Sequence, residues 1–182
     1  GEKWGRHWLD LARYGDTAGF EQDPYLLYAW RYRDYVIDSI NNDKPYDRFV
    51  KEQIAGDELY PDDPPSMSGT GFYTVGPNRD MLYKVEDINR VETLVDWVDT
   101  TASVFLGLTV GCARCHSHKF DPISQVDYTA LTAVFAGVRH GERPLKPADG
   151  IRAELARIDR ELEAFETAPR PPDGTGRHVE RF

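Results

Sequence analysis

The 182-residue sequence has little sulfur, no excess of basic charge and no long apolar run. It contains two cysteines and two methionines, and a chain of this length can bury a hydrophobic core without disulfide bonds. The formal net charge of -9 at pH 7 argues against a general nucleic-acid binder and against attraction to an anionic membrane surface, because both need a basic face. We therefore expect a soluble protein, or one that meets basic partners.

The longest apolar stretch, ASVFLGLTVGCA, is much shorter than the roughly 20 residues that a membrane helix needs. We therefore expect no membrane insertion by this segment. No secretory signal is visible, but the chain opens with GEKWGRHW, which already follows a helical pattern. We interpret the chain as a mature or excised part of a longer protein, so the missing signal says nothing about its compartment. No phosphate-binding loop, dinucleotide-binding fingerprint or Ser–His–Asp arrangement occurs.

Apolar residues recur at helical spacing along most of the chain, which predicts a mostly α protein. Helices are predicted in EKWGRHWLDLARYG, AWRYRDYVIDSINN, YDRFVKEQIAG and QVDYTALTAVFAG, and a long one runs from Ile88 to Phe105. Ser124 and Asp127 resemble a capping box at the start of the fourth of these. The predicted apolar faces consist of Trp4, Trp8, Leu11, Ala12, Tyr32, Val36, Ile40, Phe49, Val50, Ile54, Ile88, Val91, Val95, Val98, Ala102, Phe105, Leu131, Val134 and Phe135.

The remaining segments predict loops and a separate C-terminal helix. Residues 57–79 hold four prolines and three glycines, which predicts a long loop that covers a ligand or is partly disordered, with GFYTV as a possible short strand. Residues 141–150 read as a linker, and residues 151–166 as an amphipathic helix with a short heptad-like apolar seam. Residues 167–182 are predicted to be a disordered tail.

Both cysteines fall in one motif, C-A-R-C-H, formed by Cys112, Cys115 and His116. C-x-x-C-H is the pattern of c-type haem attachment. Two thiols three positions apart on one turn can each add to a vinyl group of haem, and the imidazole that follows is then held under the porphyrin as the proximal iron ligand. The sequence therefore predicts a covalent haem c, with Cys112 and Cys115 as thioethers and His116 as the proximal ligand.

The same residues permit other chemistry. Cys112 and Cys115 with either His116 or His118 could supply three ligands of a tetrahedral zinc site, with the fourth from elsewhere in the chain. A thiol–disulfide redox pair is a further alternative, although such pairs usually follow a strand and none is predicted here. A structural disulfide or two buried free thiols would leave His116 without a role.

Residues around the motif are candidates for completing a haem site. A six-coordinate iron needs a distal ligand, usually His or Met, and His140 or His7 are the candidates, with an open distal position as the alternative. His118 is too near the proximal ligand to reach the opposite face of the ring, so a propionate or backbone partner suits it better. Arg114 and Lys119 could pair with haem propionates, or they could be solvated charges.

Several stretches of the sequence resemble the planctomycete cytochrome-associated domain family. They are RHWLDLARYGDT, AWRYRDYVIDSINNDKPYDRFVKEQIAGD, TGF, DTTASVFLGLTVGCARCHSHKFDPISQVDY and VFAGVRHGERPL, and they cover most of residues 4–145. That family has no known function and occurs in large secreted proteins beside a cytochrome c-like domain. The resemblance implies an exported, multidomain protein in the periplasm or otherwise outside the cytoplasm, partnered by a cytochrome c-like domain or another redox protein.

Together these observations predict an irregular helical domain over residues 1–140, with long loops around a c-type haem, plus the C-terminal amphipathic helix. The favoured function is electron transfer by a single haem, for which no catalytic residue is predicted. A haem enzyme or small-ligand sensor with an open distal iron site is the first alternative. A zinc-stabilised interaction domain is the second.

Overall fold

A computed structural model describes residues 1–19, 23–77, 86–143 and 149–167. Within these ranges the chain is mostly helical and forms no β-sheet, which confirms the predicted class. In the same ranges, no helix combines the length and apolarity that crossing a bilayer requires. The chain divides into two compact units, Gly1–Leu145 and Lys146–Phe182. The helices are α1 (Glu2–Leu11), α2 (Ala29–Asn41), α3 (Tyr46–Leu59), α4 (Pro64–Gly69), α5 (Glu86–Thr101), α6 (Gln125–Phe135) and α7 (Asp149–Thr167).

The core of the first unit is built largely from aromatic rings. Tyr32, Phe72 and Trp97 are each at most 2% exposed. Trp8 of α1 meets Phe49 of α3 edge-on at 4.8 Å between ring centroids. Because edge-to-face aromatic pairs stabilise beyond the area they bury, these contacts fix how the helices pack.

The stretch 57–79 is not the long loop that the prolines and glycines predict. The helix α3 has a kink at the non-helical residue Ala55, and helical structure resumes at Gly56 and runs to Leu59. It is followed by α4 and by a 3₁₀ turn at Thr70–Tyr73 in place of the expected strand. Phe72 in this turn is fully buried. Gly56 serves close packing, since a Cβ there would lie 2.0 Å from the Ser66 carbonyl oxygen. Elements of four to six residues are too short to show periodicity, and the last two positions of the stretch lie outside the described residues.

The predicted apolar faces are correct in the middle of the helices and wrong in several outer turns. In α2, Tyr32 and Val36 are buried and Ile40 packs against the core. In α3 Phe49 is buried as predicted, but Glu52 and Gln53 are buried beside it, so the pattern of apolar residues is incomplete there. The residues predicted to face the core that are in fact exposed are Trp4, Leu11, Ile54, Ile88, Val91 and Val134.

Glu52 is a buried carboxylate that joins three helices. It accepts hydrogen bonds from the Tyr35 hydroxyl at 2.9 Å and the Ser66 hydroxyl at 2.9 Å, and it pairs with Lys44 and Arg48. Burial alone would raise the pKa of Glu52, but these four partners outweigh it and lower the pKa to about 2. The side chain is 2% exposed, so its charge depends on partners from α2, α3 and α4.

We expect Glu52→Gln to lower the free energy of unfolding at pH 7 by about 2 kcal/mol, because Lys44 and Arg48 lose a buried counter-charge but stay partly exposed. Since the folded-state pKa is depressed, this stabilisation is present above the ordinary pKa of 4.5 and is lost as the pH falls toward 2. Urea denaturation from pH 2 to 7 measures it.

The control is Glu58→Gln, which removes an exposed ion pair with Arg143 and should change the unfolding free energy by less than about 1 kcal/mol. Equal effects of the two variants, or a Glu52→Gln effect that persists undiminished at pH 2, would contradict the role assigned to Glu52.

Candidate functional site

The C-x-x-C-H motif begins on a single 3₁₀ turn, Gly111–Arg114, between the end of α5 and the start of α6. Val110 and Ala113 are 5% and 0% exposed, whereas Cys112 and Cys115 are both exposed. The Ala113 N–H donates to the Val110 carbonyl at 2.8 Å, which closes the turn. The inner side chains therefore anchor the turn in the core, and both thiols stay at the surface.

Both thiols are free as well as exposed. The alternatives of a structural disulfide and of buried thiols therefore find no support in the structure. Accessible thiols are the ones that react, whereas buried cysteines are inert, so the exposure of both thiols is compatible with covalent attachment of a cofactor.

His116 is oriented by the backbone. Its Nδ1 lies 2.8 Å from the Ser117 carbonyl oxygen, so Nδ1 carries the proton and donates. The lone pair of this imidazole then belongs to Nε2, and the ring itself is exposed. A backbone carbonyl on one ring nitrogen is a common way to fix the tautomer of a metal-ligating histidine.

His118 has backbone partners, as its position next to the motif predicts. The ring Nδ1 of His118 accepts from the backbone N–H of Asp121 at 2.9 Å. The backbone N–H of His118 donates to the Ile123 carbonyl at 2.8 Å. These bonds brace the segment that leads from the motif to α6.

The first turn of α6 is tied to the motif. The Gln125 side-chain amide donates to the Arg114 carbonyl at 3.2 Å. The predicted capping box is confirmed, since the Ser124 hydroxyl accepts from the Asp127 N–H at 3.1 Å and the Asp127 carboxylate accepts from the Ser124 N–H at 2.8 Å. The Ser124 hydroxyl, which donates to the Asp127 carboxylate at 2.7 Å, and the Ser124 N–H hold the pKa of Asp127 below its usual value.

An apolar surface begins beside the motif. The outer face of α6 forms a shallow groove, whereas Tyr128 and Phe135 on the opposite face are buried. Phe120, next to this groove in the chain, is 82% exposed. Exposed apolar surface next to a recognisable motif indicates an interaction site. The groove is lined by Gln125, Val126, Thr129, Ala130 and Ala133.

Beneath the motif lie two buried polar groups that sequence reasoning did not identify. Asp99 Oδ1 and the Tyr128 hydroxyl are buried atoms with no hydrogen-bond partner beyond each other, and the interaction between these two side chains affects the pKa of both. Asp99 lies under the turn, because a Cβ on Gly111 would be 3.2 Å from Asp99 Oδ2. Burial raises the pKa of Asp99, against smaller opposing effects of Tyr128 and Arg114. The only feature of the sequence that could have indicated the position of Asp99 is that it directly follows the predicted core residue Val98.

The two candidates for a distal ligand are engaged elsewhere. His140 Nε2 lies 3.0 Å from the Tyr73 carbonyl oxygen, and its ring meets Trp97 edge-on at 5.1 Å. His7 is exposed, with its ring 5.6 Å from that of Trp4. None of these contacts reaches the motif, and the assignment of a distal ligand stays a prediction.

Arg114 and Lys119 are exposed beside the motif, and the Lys119 ammonium lies 5.2 Å from the centre of the Phe120 ring. Both cations are available for pairing with an anionic group. Among the described residues, no three His, Cys, Asp or Glu side chains are grouped closely enough to hold a metal ion. The zinc alternative therefore has no support from this part of the chain.

Fold and site define a helical domain that presents a C-x-x-C-H turn on its surface. A family model described as PSCyt2, protein of unknown function (DUF1549), matches residues 1–140. The chain belongs to this family. No curated protein and no solved structure matches the chain. Because the family description assigns no activity, function has to be argued from the site.

We expect Asp99→Asn to raise the melting temperature at pH 7. Because burial raises the pKa of Asp99 above the ordinary value of 3.8, ionisation costs the folded state more than the unfolded state. The contribution of Asp99 to stability is therefore full below pH 3.8 and is lost as the pH rises through the folded-state pKa. Thermal melts between pH 3 and 8, with the exposed Asp38→Asn as control, measure this. A gain that does not depend on pH, or a loss at pH 7, would contradict it.

Proposed function

We propose that this chain is a c-type cytochrome domain that carries one haem and transfers electrons within a larger exported protein. Cys112 and Cys115 would hold the haem through thioether bonds, and His116 would be the proximal iron ligand. The observation that carries the proposal is the turn itself, since its inner residues are buried and both of its thiols are free at the surface.

The residues present fit the group. Covalent attachment needs two accessible thiols three positions apart and an imidazole nitrogen with an available lone pair. Cys112 and Cys115 supply the first, and the bond from His116 Nδ1 to the Ser117 carbonyl leaves Nε2 for the second. Haem supplies the redox chemistry when it is bound, and the chain sets its orientation and access.

Neighbouring side chains suit the two parts of a porphyrin. The apolar groove on α6 and the exposed ring of Phe120 would cover part of the macrocycle and exclude water from it. Arg114 and Lys119 would pair with the propionates, because charge-assisted hydrogen bonds to carboxylates are the strong ones.

The proposed partner is a neighbouring cytochrome c-like domain or another redox protein, in the periplasm or otherwise outside the cytoplasm. The resemblance to a family that occurs beside such domains in secreted proteins supports this. It also agrees with the site of c-type haem attachment, which lies outside the cytoplasm. The acidic net charge of -9 disfavours a nucleic acid as partner.

A second candidate function is a haem enzyme or small-ligand sensor with an open distal iron site. The placement of the candidate distal ligands favours it, because His140 is bound to the Tyr73 carbonyl and His7 lies against Trp4. An iron with a single protein ligand would bind small molecules on its other face.

Attachment is tested by producing the protein together with c-type haem maturation machinery. We expect a denatured mass that exceeds the polypeptide by one haem, and an alkaline pyridine spectrum typical of two thioether bonds. Cys112→Ala and Cys115→Ala should each weaken attachment, and His116→Ala should change the spin state. His118→Ala, a histidine two positions away that has backbone partners, is the control and should keep the parental spectrum. Colourless protein with two titratable thiols would overturn the proposal.

Carbon monoxide separates electron transfer from the second candidate. Electron transfer through a six-coordinate iron predicts that the reduced protein shows little or no spectral change on addition of the gas. In that case the variants His140→Ala and His7→Ala identify the distal ligand, since only the variant that lacks this ligand should bind carbon monoxide. Rapid binding to the parental protein would favour the enzyme or sensor.

A further inference from the structure

The second compact unit contains a helix with one uncovered apolar face. Along α7, large apolar residues follow each other at steps of four and three, and each is 40% to 82% exposed. Such spacing forms the a and d seam of a coiled coil. We call this face the α7 seam; it consists of Ile151, Leu155, Ile158, Leu162 and Phe165.

An uncovered seam of this length needs a partner. A 19-residue helix gains most of its stability from packing its apolar face, and helices alone in water are marginal. The seam is narrow, about two side chains per heptad, which matches one or two neighbouring helices better than a broad sheet or a flat surface.

The charges that border the seam restrict the partner. One border consists of Glu154 and Glu161, which directly precede Leu155 and Leu162 in the sequence, and both glutamates are exposed. On the other border, Arg152 and Asp159 follow Ile151 and Ile158. One border is therefore wholly acidic, and the other is mixed.

Self-association places like charges together. Leu155 and Leu162 occupy a positions of the heptad, and Ile151 and Ile158 occupy d positions. In a parallel, in-register pair, the residue before an a position meets the residue after the following d position of the other copy. Glu154 of one copy therefore faces Asp159 of the other. In an antiparallel pair with Leu155 opposite Ile158, Glu154 faces Glu161, although Arg152 then faces Asp159. The residue types disfavour a two-stranded parallel coil, since Leu at a with Ile at d is typical of three or four strands.

We propose that the α7 seam docks onto an amphipathic helix of another polypeptide segment whose bordering positions carry lysine or arginine. Basic residues opposite Glu154, Glu161 and Asp159 turn each of the like-charge pairs into an attraction. The inference is independent of the haem.

Arg157 does not remove this preference. Its guanidinium bonds to Glu154 at 3.0 Å and to Glu161 at 3.2 Å along the outer side of α7. Exposed pairs at helical spacing contribute only a few tenths of a kcal/mol, so a partner helix can compete for the two carboxylates.

The test uses the whole 182-residue chain and two labelled synthetic peptides with the same leucine and isoleucine seam. One peptide carries lysine at the bordering positions and the other carries glutamate. We expect the lysine peptide to bind at least about tenfold more tightly in fluorescence anisotropy at low salt, with the difference shrinking as salt screens the charges. Equal binding, or no binding of either peptide, would overturn the proposal.

Matched variants assign the effect to the seam and its borders. The double variant Glu154→Lys and Glu161→Lys should reverse the preference between the peptides, whereas Glu163→Lys, which lies away from these borders, should leave it in place. Ile158→Asn should weaken both complexes while circular dichroism confirms that the first unit stays folded. Sedimentation velocity of the free chain should show a monomer. A stable dimer whose formation depends on Ile158 would overturn the choice of partner.

Discussion

The aromatic contact around Trp97 sets the position of the motif. Its ring centroid lies 5.5 Å from that of Tyr73 and 6.2 Å from that of Phe135, and its indole donates to the Tyr73 carbonyl at 3.1 Å. The fully buried Trp97 side chain thus holds α5 to α6 and to the 3₁₀ turn Thr70–Tyr73. Because the C-x-x-C-H turn lies between α5 and α6, these contacts decide where its thiols emerge. Arg90 of α5 also joins the two helices, because its guanidinium donates to the carbonyl of Phe135, the last residue of α6, at 3.0 Å.

The first unit contains two carboxylates with opposite surroundings. Glu52 is buried and has four partners, and its pKa falls to about 2. Asp99 is half-buried with one buried oxygen, and burial raises its pKa against the smaller effects of Tyr128 and Arg114. The first arrangement stabilises the fold, whereas the second lowers stability, and proteins commonly retain such local losses at functional sites. Asp99, whose pKa is raised, lies against Gly111 next to the motif, which agrees with the motif being the functional part of this unit.

Sequence patterns predicted the class of fold and the place of the candidate site, because both depend on local information. Helical spacing in α2 and in the second half of α5 identified buried residues such as Val36 and Val98, and the capping box at Ser124 marked the start of α6. The patterns were wrong at positions where contacts with residues distant in the sequence determine burial. The chain is helical again after Gly56, although Ala55 directly before it is non-helical, and Gly56 also admits the Ser66 carbonyl. Glu52 is buried only because residues from three helices converge on it. Asp99 could not be identified for the same reason, since its burial depends on the turn that packs over it.

Two groups of exposed apolar residues in the described part of the chain lie where an attached group or a partner would cover them. In the first unit, Phe120 and Val126 are 82% and 75% exposed beside a motif suited to a flat apolar cofactor. In the second unit, the α7 seam is exposed along its whole length, with borders that oppose a parallel pair with a second copy. Single exposed apolar residues need no explanation, but contiguous ones next to a recognisable motif or at heptad spacing indicate an interface. A chain with a net charge of -9 can keep such surfaces in solution through mutual repulsion between copies while basic partners remain attracted. The same charge that disfavours nucleic acids thus favours the basic helix that the seam requires.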